Sequence, residues 1–126
     1  MKIVLAFDKF KGSATSQQLN EAVQQALSEN PGLSVSAVPI ADGGDGTTDV
    51  LAACKQGQWV TLSVPGPLIT LPPVNARYFL CDDGTALLDV AAASGLVLVP
   101  DELRDPFRMS TLGTGFMMRD AMESGS

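Results

Sequence analysis

The chain has 126 residues, of which 45% are hydrophobic and 17% are charged, and this balance is typical of a globular domain. Its formal net charge of −6, with only 8 Lys and Arg residues, argues against a nucleic-acid partner, because binding to a phosphate backbone needs clustered cations. The sequence contains no histidine, which excludes Ser-His-Asp and Cys-His catalysis and leaves carboxylates, lysines and hydroxyls for any chemistry.

The first part of the chain alternates strand and helix patterns. The apolar run from Ile3 to Ala6 predicts a buried strand. A helix follows, because Thr15 and Gln18 have capping-box spacing and an apolar stripe comes after them. The stripe consists of Leu19, Ala22, Val23, Ala26 and Leu27, and it ends at Asn30-Pro31-Gly32.

A second strand is predicted over residues 33–38, and a second helix from Thr47 to Gly57. We expect this helix to direct Val50, Leu51 and Cys54 inward. The β-α-β-α order predicts a parallel, Rossmann-like unit with right-handed crossovers over residues 1–57.

From residue 58 the pattern changes to alternating extended segments. Residues 59–64, 74–81 and 85–90 predict strands, with turns at Pro65-Gly66-Pro67 and Asp82-Asp83-Gly84. A turn of small residues follows at 91–95, and a last helix is expected over 116–123. The predicted fold class is therefore α/β: the parallel unit, then a mixed or antiparallel sheet subdomain with a final helix over residues 58–126.

Neither a targeting segment nor a cysteine motif is evident. The N-terminal apolar run is too short for a signal peptide, and no run reaches membrane-spanning length, so the sequence predicts a cytoplasmic protein without a membrane partner. Cys54 and Cys81 lack CxxC spacing, and we expect both to be reduced and buried.

The end of the last helix, with no strand after it, indicates the N-terminal part of a longer protein. We expect the surface that the rest of that protein would cover to expose apolar side chains such as Phe116, Met117 or Met122.

Two loops after the first two strands mix charged residues with glycines. The first loop contains Asp8, Lys9, Lys11 and Ser13, and the second contains Asp42, Gly43, Gly44, Asp45, Gly46 and Thr47. Glycine amides and lysines suit phosphate, and aspartates suit Mg²⁺. Because neighbouring parallel strands end at the same edge of a sheet, we expect Asp8, Lys11, Asp42 and Asp45 to converge in one cleft. The alternatives are a solvated first loop, and an Asx-type turn with Thr47 capping the second helix.

Two later segments are also candidates for ligand contact. Asp89 ends an apolar strand, where a carboxylate is costly unless it is paired or bound, although for this residue taken alone an exposed strand-end Asp is the preferred interpretation. The segment from Thr111 to Gly115 precedes the last helix and would form either an anion site or an ordinary helix cap. Walker A, EF-hand and complete GxGxxG patterns are absent from the sequence.

Four blocks of the sequence, in order, resemble the signatures of the bacterial glycerate kinases, which phosphorylate D-glycerate with ATP. The blocks are Lys2–Ser13, Pro39–Thr47, Asp89–Leu96 and Ser110–Gly115. The family often has Pro at Phe7 and Ser at Lys9, and usually Glu at Asp45, Asp89 and Phe116. Of these five differences, only the one at Phe116 replaces the family's carboxylate with a side chain that has none. Family members are longer and have a further Gly-Gly-Ser block beyond the segment that this chain resembles.

The resemblance implies ATP and Mg²⁺ as cofactors and D-glycerate as substrate. It implies Asp8 as a base or hydroxyl-orienting group, Lys11 and Lys9 as partners of phosphate or carboxylate, and Asp42 as a third catalytic group that orients Mg²⁺ or the substrate. Asp45 and Asp89 are the implied metal ligands. The remaining implied binding residues are Ser13, Gly43, Gly44, Gly46, Thr47, Ser94, Gly113, Thr114 and Gly115.

Two other interpretations stay open: a non-catalytic phosphate- or nucleotide-binding α/β domain, and an inactive structural fragment. Also open are the position of the phosphate on the product, the loop that takes ATP, and assembly into a homo-oligomer.

Overall fold

The structure is a computed structural model that describes residues 1–10 and 12–125. Its strands are β1 (Lys2–Leu5), β2 (Ser34–Ala37), β3 (Gly57–Val64), β4 (Val74–Cys81) and β5 (Ala86–Leu87). Its α-helices are α1 (Ser16–Ser28), α2 (Thr47–Ala52), α3 (Ala91–Ser94) and α4 (Leu112–Glu123). Short 3₁₀ turns lie at Leu96–Leu98, Asp101–Leu103 and Pro106–Arg108. No helix in the described ranges is long and apolar enough to cross a membrane.

The chain divides into two compact units, Met1–Val50 and Leu51–Ser126. The division falls inside α2, whereas the change of sequence pattern comes after residue 57. The first unit contains the parallel pair of strands, and the second contains an antiparallel sheet with α3 and α4. The predicted α/β class, with a parallel unit followed by an antiparallel sheet, is confirmed.

In the first unit, β1 and β2 pair in parallel, with Lys2 opposite Ser34 and Leu5 opposite Ala37. Helix α1 forms the crossover and begins with the predicted capping box: the backbone N of Gln18 donates to Thr15 Oγ1 at 3.2 Å, and the backbone N of Thr15 donates to Gln18 Oε1 at 2.9 Å. Two otherwise unpaired amides are satisfied in this way, which fixes the start of the helix.

Helix α1 buries polar residues that the apolar pattern did not indicate. Its predicted stripe is half-buried at Leu19, Val23 and Leu27 and exposed at Ala22 and Ala26, while Ser16 and Asn20 are buried.

The Ser16 hydroxyl donates to the Phe7 carbonyl at 2.6 Å, and the Asn20 side-chain amide donates to the Ser16 carbonyl at 2.8 Å. Asn20 Oδ1 also accepts from the backbone N of Phe7 at 3.5 Å, so the two side chains satisfy both polar backbone groups of Phe7, where the chain leaves β1.

In the second unit, β3 and β4 pair antiparallel from Gly57 opposite Cys81 to Val64 opposite Val74. The strand predicted over residues 74–81 is confirmed to the residue. Alternate side chains on one sheet face pack against the two helices, because a strand directs every second residue to the same side. The buried cluster contains Val64, Ala76, Tyr78, Ala93, Met117 and Ala121.

A buried hydrogen bond ties the sheet to the last helix. The hydroxyl of Tyr78, which has no exposed surface, donates to Asp120 Oδ2 at 2.8 Å. Burial raises the pKa of Tyr78, and the hydrogen bond and negative charge of Asp120 raise it further, whereas Ser124 acts in the opposite direction. The phenol therefore remains protonated and stays the donor.

The predicted tight turn between β4 and β5 is present. The backbone N of Thr85 donates to Asp83 Oδ1 at 2.9 Å, and Lys55 Nζ lies 3.2 Å from Asp83 Oδ2. Hydrogen bonds from Thr85 and then from Lys55 lower the pKa of Asp83 to about 2. Gly84 adopts a φ of 82°, the left-handed conformation that glycine takes without strain.

Several predicted boundaries were wrong because tertiary packing overrides local pattern. Helix α2 ends at Ala52, Gly57 already begins β3, and Leu51 and Cys54 are exposed rather than directed inward. The third strand is only Ala86–Leu87, and the small-residue turn is the one-turn helix α3.

The last helix begins at Leu112 rather than Phe116. Both cysteines are free, but only Cys81 is buried. Of the apolar side chains expected at the surface, Met117 is fully buried, Phe116 is half-buried and Met122 is exposed.

Gly113 allows α4 to approach the end of β3. A Cβ at this position would lie 2.0 Å from the Pro65 carbonyl oxygen and 3.2 Å from the Ala93 Cβ, whereas a Cβ at Gly115 would meet nothing within 4 Å. A side chain at residue 113 therefore requires the backbone to move.

We expect Gly113→Ala to lower the free energy of unfolding by about 1–3 kcal/mol, because overpacking strains the backbone. Gly115→Ala in the same helix is the matched control, and it should be neutral or stabilising by up to about 1 kcal/mol, since alanine has the higher helix propensity. Denaturant unfolding of both variants measures the difference. Equal unfolding midpoints would contradict the packing role of Gly113.

Candidate functional site

The first loop leaves the carboxyl end of β1 and turns back tightly. Asp8 Oδ1 accepts a hydrogen bond from the backbone N of Lys9 at 2.7 Å. Phe10 and Ala14 then pair across a short bridge, and the backbone N of Ser13 donates to the Phe10 carbonyl at 2.9 Å. Lys11, the predicted principal phosphate partner, lies outside the described residues.

The second loop leaves β2 and forms the Asx-type turn that was one of the two interpretations of its sequence. Asp42 Oδ1 accepts from the backbone N of Gly44 at 2.9 Å. Gly43 and Gly46 have φ values of 89° and 86°, so side chains at these two positions would be strained. The loop thus depends on its glycines for its backbone path.

Lys9 joins the two loops. Its Nζ donates to the backbone carbonyl of Asp45 and lies 3.9 Å from Asp42 Oδ1. Its side chain is 19% exposed, compared with 61% for Asp42. The loops therefore meet at the carboxyl ends of β1 and β2, as expected for parallel neighbours, and the residue seen to connect them is Lys9, to which the sequence analysis gave less weight than Lys11.

Thr47 opens α2 without the predicted hydroxyl cap. Its backbone N donates to the Gly44 carbonyl at 3.1 Å, but its buried Oγ1 has no hydrogen-bond partner among the described residues. The Asx turn at Asp42 and this backbone contact define the start of the helix instead.

The carboxylates of the second loop are candidate ligands for Mg²⁺. Among residues 1–10 and 12–125 no group of three or more Asp, Glu, Cys or His residues is placed to hold a metal. Asp42 and Asp45 lie in one loop of the first unit, and Asp89 belongs to the second unit. Two carboxylates suit a Mg²⁺ ion that arrives with nucleotide phosphates, because Mg²⁺ usually keeps water and phosphate oxygens as its other ligands.

The predicted hydroxyl residues of the second unit contact each other. Ser94 Oγ and Thr114 Oγ1 are 2.7 Å apart, and Thr114 Oγ1 donates to the Val90 carbonyl at 3.4 Å. This pair connects α3 to the first turn of α4. Gly113 and Gly115 lie in that same turn, the former buried and the latter exposed.

A pocket of about 270 Å³ lies beside the start of α4 in the second unit. Its apolar lining consists of Pro67, Leu96, Val99 and Met109. Its polar lining consists of the hydroxyl residues Ser94, Ser110 and Thr111. Of the seven, Ser94 was predicted from the sequence as a binding residue and Thr111 as part of a possible anion site. The apolar lining was not predicted, because apolar residues in short 3₁₀ turns carry no periodic signal that separates a pocket wall from core.

Arg104 fixes one wall of this pocket. Its Nε donates to the Val99 carbonyl at 3.2 Å, and its Nη2 donates to the Leu96 carbonyl at 3.4 Å. The same Nη2 lies 2.6 Å from Asp101 Oδ1. The guanidinium is thus occupied by backbone carbonyls and a carboxylate.

The family model, two sequence relatives and a solved structure that the chain matches are all named as glycerate kinases. The glycerate kinase family model matches residues 3–126. The chain is 41% identical to the glycerate 2-kinase of Escherichia coli (strain K12) and 39% identical to the glycerate kinase of Bacillus subtilis (strain 168), over 100% of this chain and 33% of each relative.

A solved structure, the putative glycerate kinase 2 from Salmonella typhimurium LT2, superposes with a TM-score of 0.74 at 38% identity, over 99% of this chain and 34% of that one. The chain therefore spans about a third of the length of the relatives that it matches.

The contact between Lys9 and the second loop leads to a testable expectation. Lys9→Met keeps the apolar stem but removes the ammonium donor, at a cost to loop stability of about 1 kcal/mol. Backbone amides of residues 43–46 should then exchange hydrogen roughly fivefold faster, as measured by hydrogen–deuterium exchange. Lys2→Met, the same change on an exposed residue of β1, is the control. Unchanged exchange in Lys9→Met would show that Lys9 does not hold the loops together.

Proposed function

The chain belongs to the glycerate kinase family, and on this premise we propose that it is the N-terminal part of an enzyme that transfers the γ-phosphoryl group of ATP to a hydroxyl of D-glycerate, giving phosphoglycerate. Membership of the family confirms the resemblance of the four sequence blocks. The nucleotide, the acceptor and the assignment of residues to roles are the parts of the proposal that need experiment.

The observation that supports the proposal most strongly in the structure is the meeting of the two loops at Lys9. The ammonium group of its half-buried side chain lies between a backbone carbonyl and the Asp42 carboxylate, at the edge of the sheet where α/β proteins bind ligands. An incoming phosphate or carboxylate oxygen would find a cation there. Phosphoryl transfer depends mainly on such positioning and charge stabilisation.

The proposed roles follow from charge and position. Asp8 orients the acceptor hydroxyl or takes its proton, while Lys9 and Lys11 bind anionic oxygens. Asp42 and Asp45 would hold Mg²⁺, which when bound neutralises charge on the phosphate oxygens. The family resemblance adds five further first-unit residues as contacts of the anion: Ser13, Gly43, Gly44, Gly46 and Thr47.

In the second unit, Ser94 and Thr114 would act by fixing the first turn of α4, through the 2.7 Å contact between their hydroxyls. Gly113 and Gly115 are proposed binding residues of that turn, in which the Gly115 amide donates to the Thr111 carbonyl at 3.2 Å, and Asp89 stays a proposed metal ligand. These assignments rest on the family pattern rather than on a converging set of side chains.

Because the chain spans about a third of its relatives' length, we propose that it is inactive or nearly so without the rest of the enzyme. Orientation of reactants can supply about 7–11 kcal/mol of a barrier reduction, and an incomplete site forfeits much of it.

A coupled assay of ADP formation by the full-length enzyme tests the function. We expect turnover that requires both D-glycerate and Mg²⁺, and a loss of roughly 10²–10³ in kcat/KM for Lys9→Met, the size of effect seen when one donor to a developing negative charge is removed. Lys2→Met is the control and should keep the wild-type rate.

Three outcomes of this assay would each contradict a different part of the proposed function. Absence of glycerate-dependent ADP formation, with turnover of an unrelated acceptor, would overturn the proposed substrate. A wild-type rate in Lys9→Met would remove Lys9 from the site but leave the activity standing. Comparable turnover by the 126-residue chain alone would refute its proposed inactivity.

A further inference from the structure

The pocket beside α4 has a lining that suits an uncharged ligand group. Its lining residues are all within the described part of the chain, and none of them has a charged side chain. The guanidinium of Arg104, which hydrogen-bonds to the carbonyls of two wall residues, is paired with Asp101. A triphosphate or a glycerate carboxylate placed in this pocket would lose its water without gaining a cation, which costs several kcal/mol.

The size of the pocket limits which ligand group it can hold. Its volume of about 270 Å³ is just below the roughly 300–1,000 Å³ that is usual for pockets holding drug-sized ligands. It therefore admits one ring system of a nucleotide rather than the whole molecule.

The distribution of polar and apolar atoms matches a flat heterocycle. Leu96, Val99 and Met109 supply apolar surface, and a methionine sulfur also makes favourable contacts with aromatic rings. The hydroxyl of Ser110 accepts from the backbone N of Leu112 at 3.1 Å and keeps its own O–H as a donor. The hydroxyl of Thr111 forms no capping bond to α4, so it is also available. Such donors and acceptors suit ring nitrogens and an amino group.

We propose that this pocket binds the adenine base of ATP. The assignment rests on the proposed kinase function and extends it, because it names the part of the nucleotide that this pocket of the second unit takes. The pocket contributes affinity for the nucleotide and takes no part in the chemical step.

The test uses Leu96, which lines the pocket and is 60% exposed, so that the chain tolerates a larger side chain there. In the full-length enzyme, Leu96→Trp fills the pocket. Val97→Trp is the matched control, because Val97 is the next residue, is 82% exposed and does not line the pocket. Leu96→Ala removes wall contacts without blocking the space, and circular dichroism of each variant checks that it is folded.

The first measurement is binding of adenosine, which has the base but no phosphate, by calorimetry. We expect Leu96→Trp to weaken adenosine binding at least tenfold, Leu96→Ala to weaken it by roughly threefold, and Val97→Trp to leave it unchanged. Equal affinity in wild type and Leu96→Trp, or no adenosine binding to the wild-type enzyme, would overturn the proposal. This readout does not require turnover, so it remains decisive even if the kinase assay fails.

The second measurement is steady-state kinetics with varied ATP and varied D-glycerate. A raised KM for ATP in Leu96→Trp, with the KM for glycerate unchanged, would support the assignment. A raised KM for glycerate alone would show that the pocket takes the acceptor, and no change in either would show that it is unused. Both of the latter results overturn the adenine assignment while leaving the kinase function intact.

Discussion

The ammonium group of Lys9 connects the two loops of the first unit, and the proposed site depends on this contact. The parallel pairing of β1 and β2 places both loops at one edge of the sheet, and Ser16 and Asn20 hydrogen-bond to the backbone of Phe7 just before the first loop. Lys9 then reaches across to the second loop. Its contact with Asp42, at 3.9 Å and with a largely exposed carboxylate, is of the kind worth about 0–1 kcal/mol. The ammonium can therefore exchange this carboxylate for a ligand oxygen at little cost, which is what an anion site requires.

The two units of the chain offer different chemistry. The first presents a lysine and aspartates, whereas the pocket of the second is lined by apolar side chains and hydroxyls with no charge. Gly113 and the contact between Ser94 and Thr114 set the position of α4 beside the pocket, so these family-signature residues influence the site through packing.

Features decided by local interactions were predictable from the sequence. The capping box at Thr15, the strand over residues 74–81, the turn at Asp83 and the meeting of the two loops all follow from spacing or strand order. Features decided by tertiary packing were not predictable from the sequence. Spacing cannot show that α1 buries Asn20, that α4 extends back to Leu112, or that Pro65 excludes a side chain at Gly113. The pocket brings together residues from three separate segments, and although two family-like blocks contain Ser94, Leu96, Ser110 and Thr111, their spacing does not show that they line one pocket.

A crystal structure of the full-length enzyme with Mg²⁺ and a non-hydrolysable ATP analogue tests the central claim most directly. We expect a phosphate oxygen within hydrogen-bond distance of Lys9 Nζ. The Lys9–Asp42 contact should be lengthened or broken, because the ammonium exchanges the Asp42 carboxylate for the phosphate. Phosphates bound away from the Lys9 loops, with Lys9 still on Asp42 and Asp45, would contradict the account.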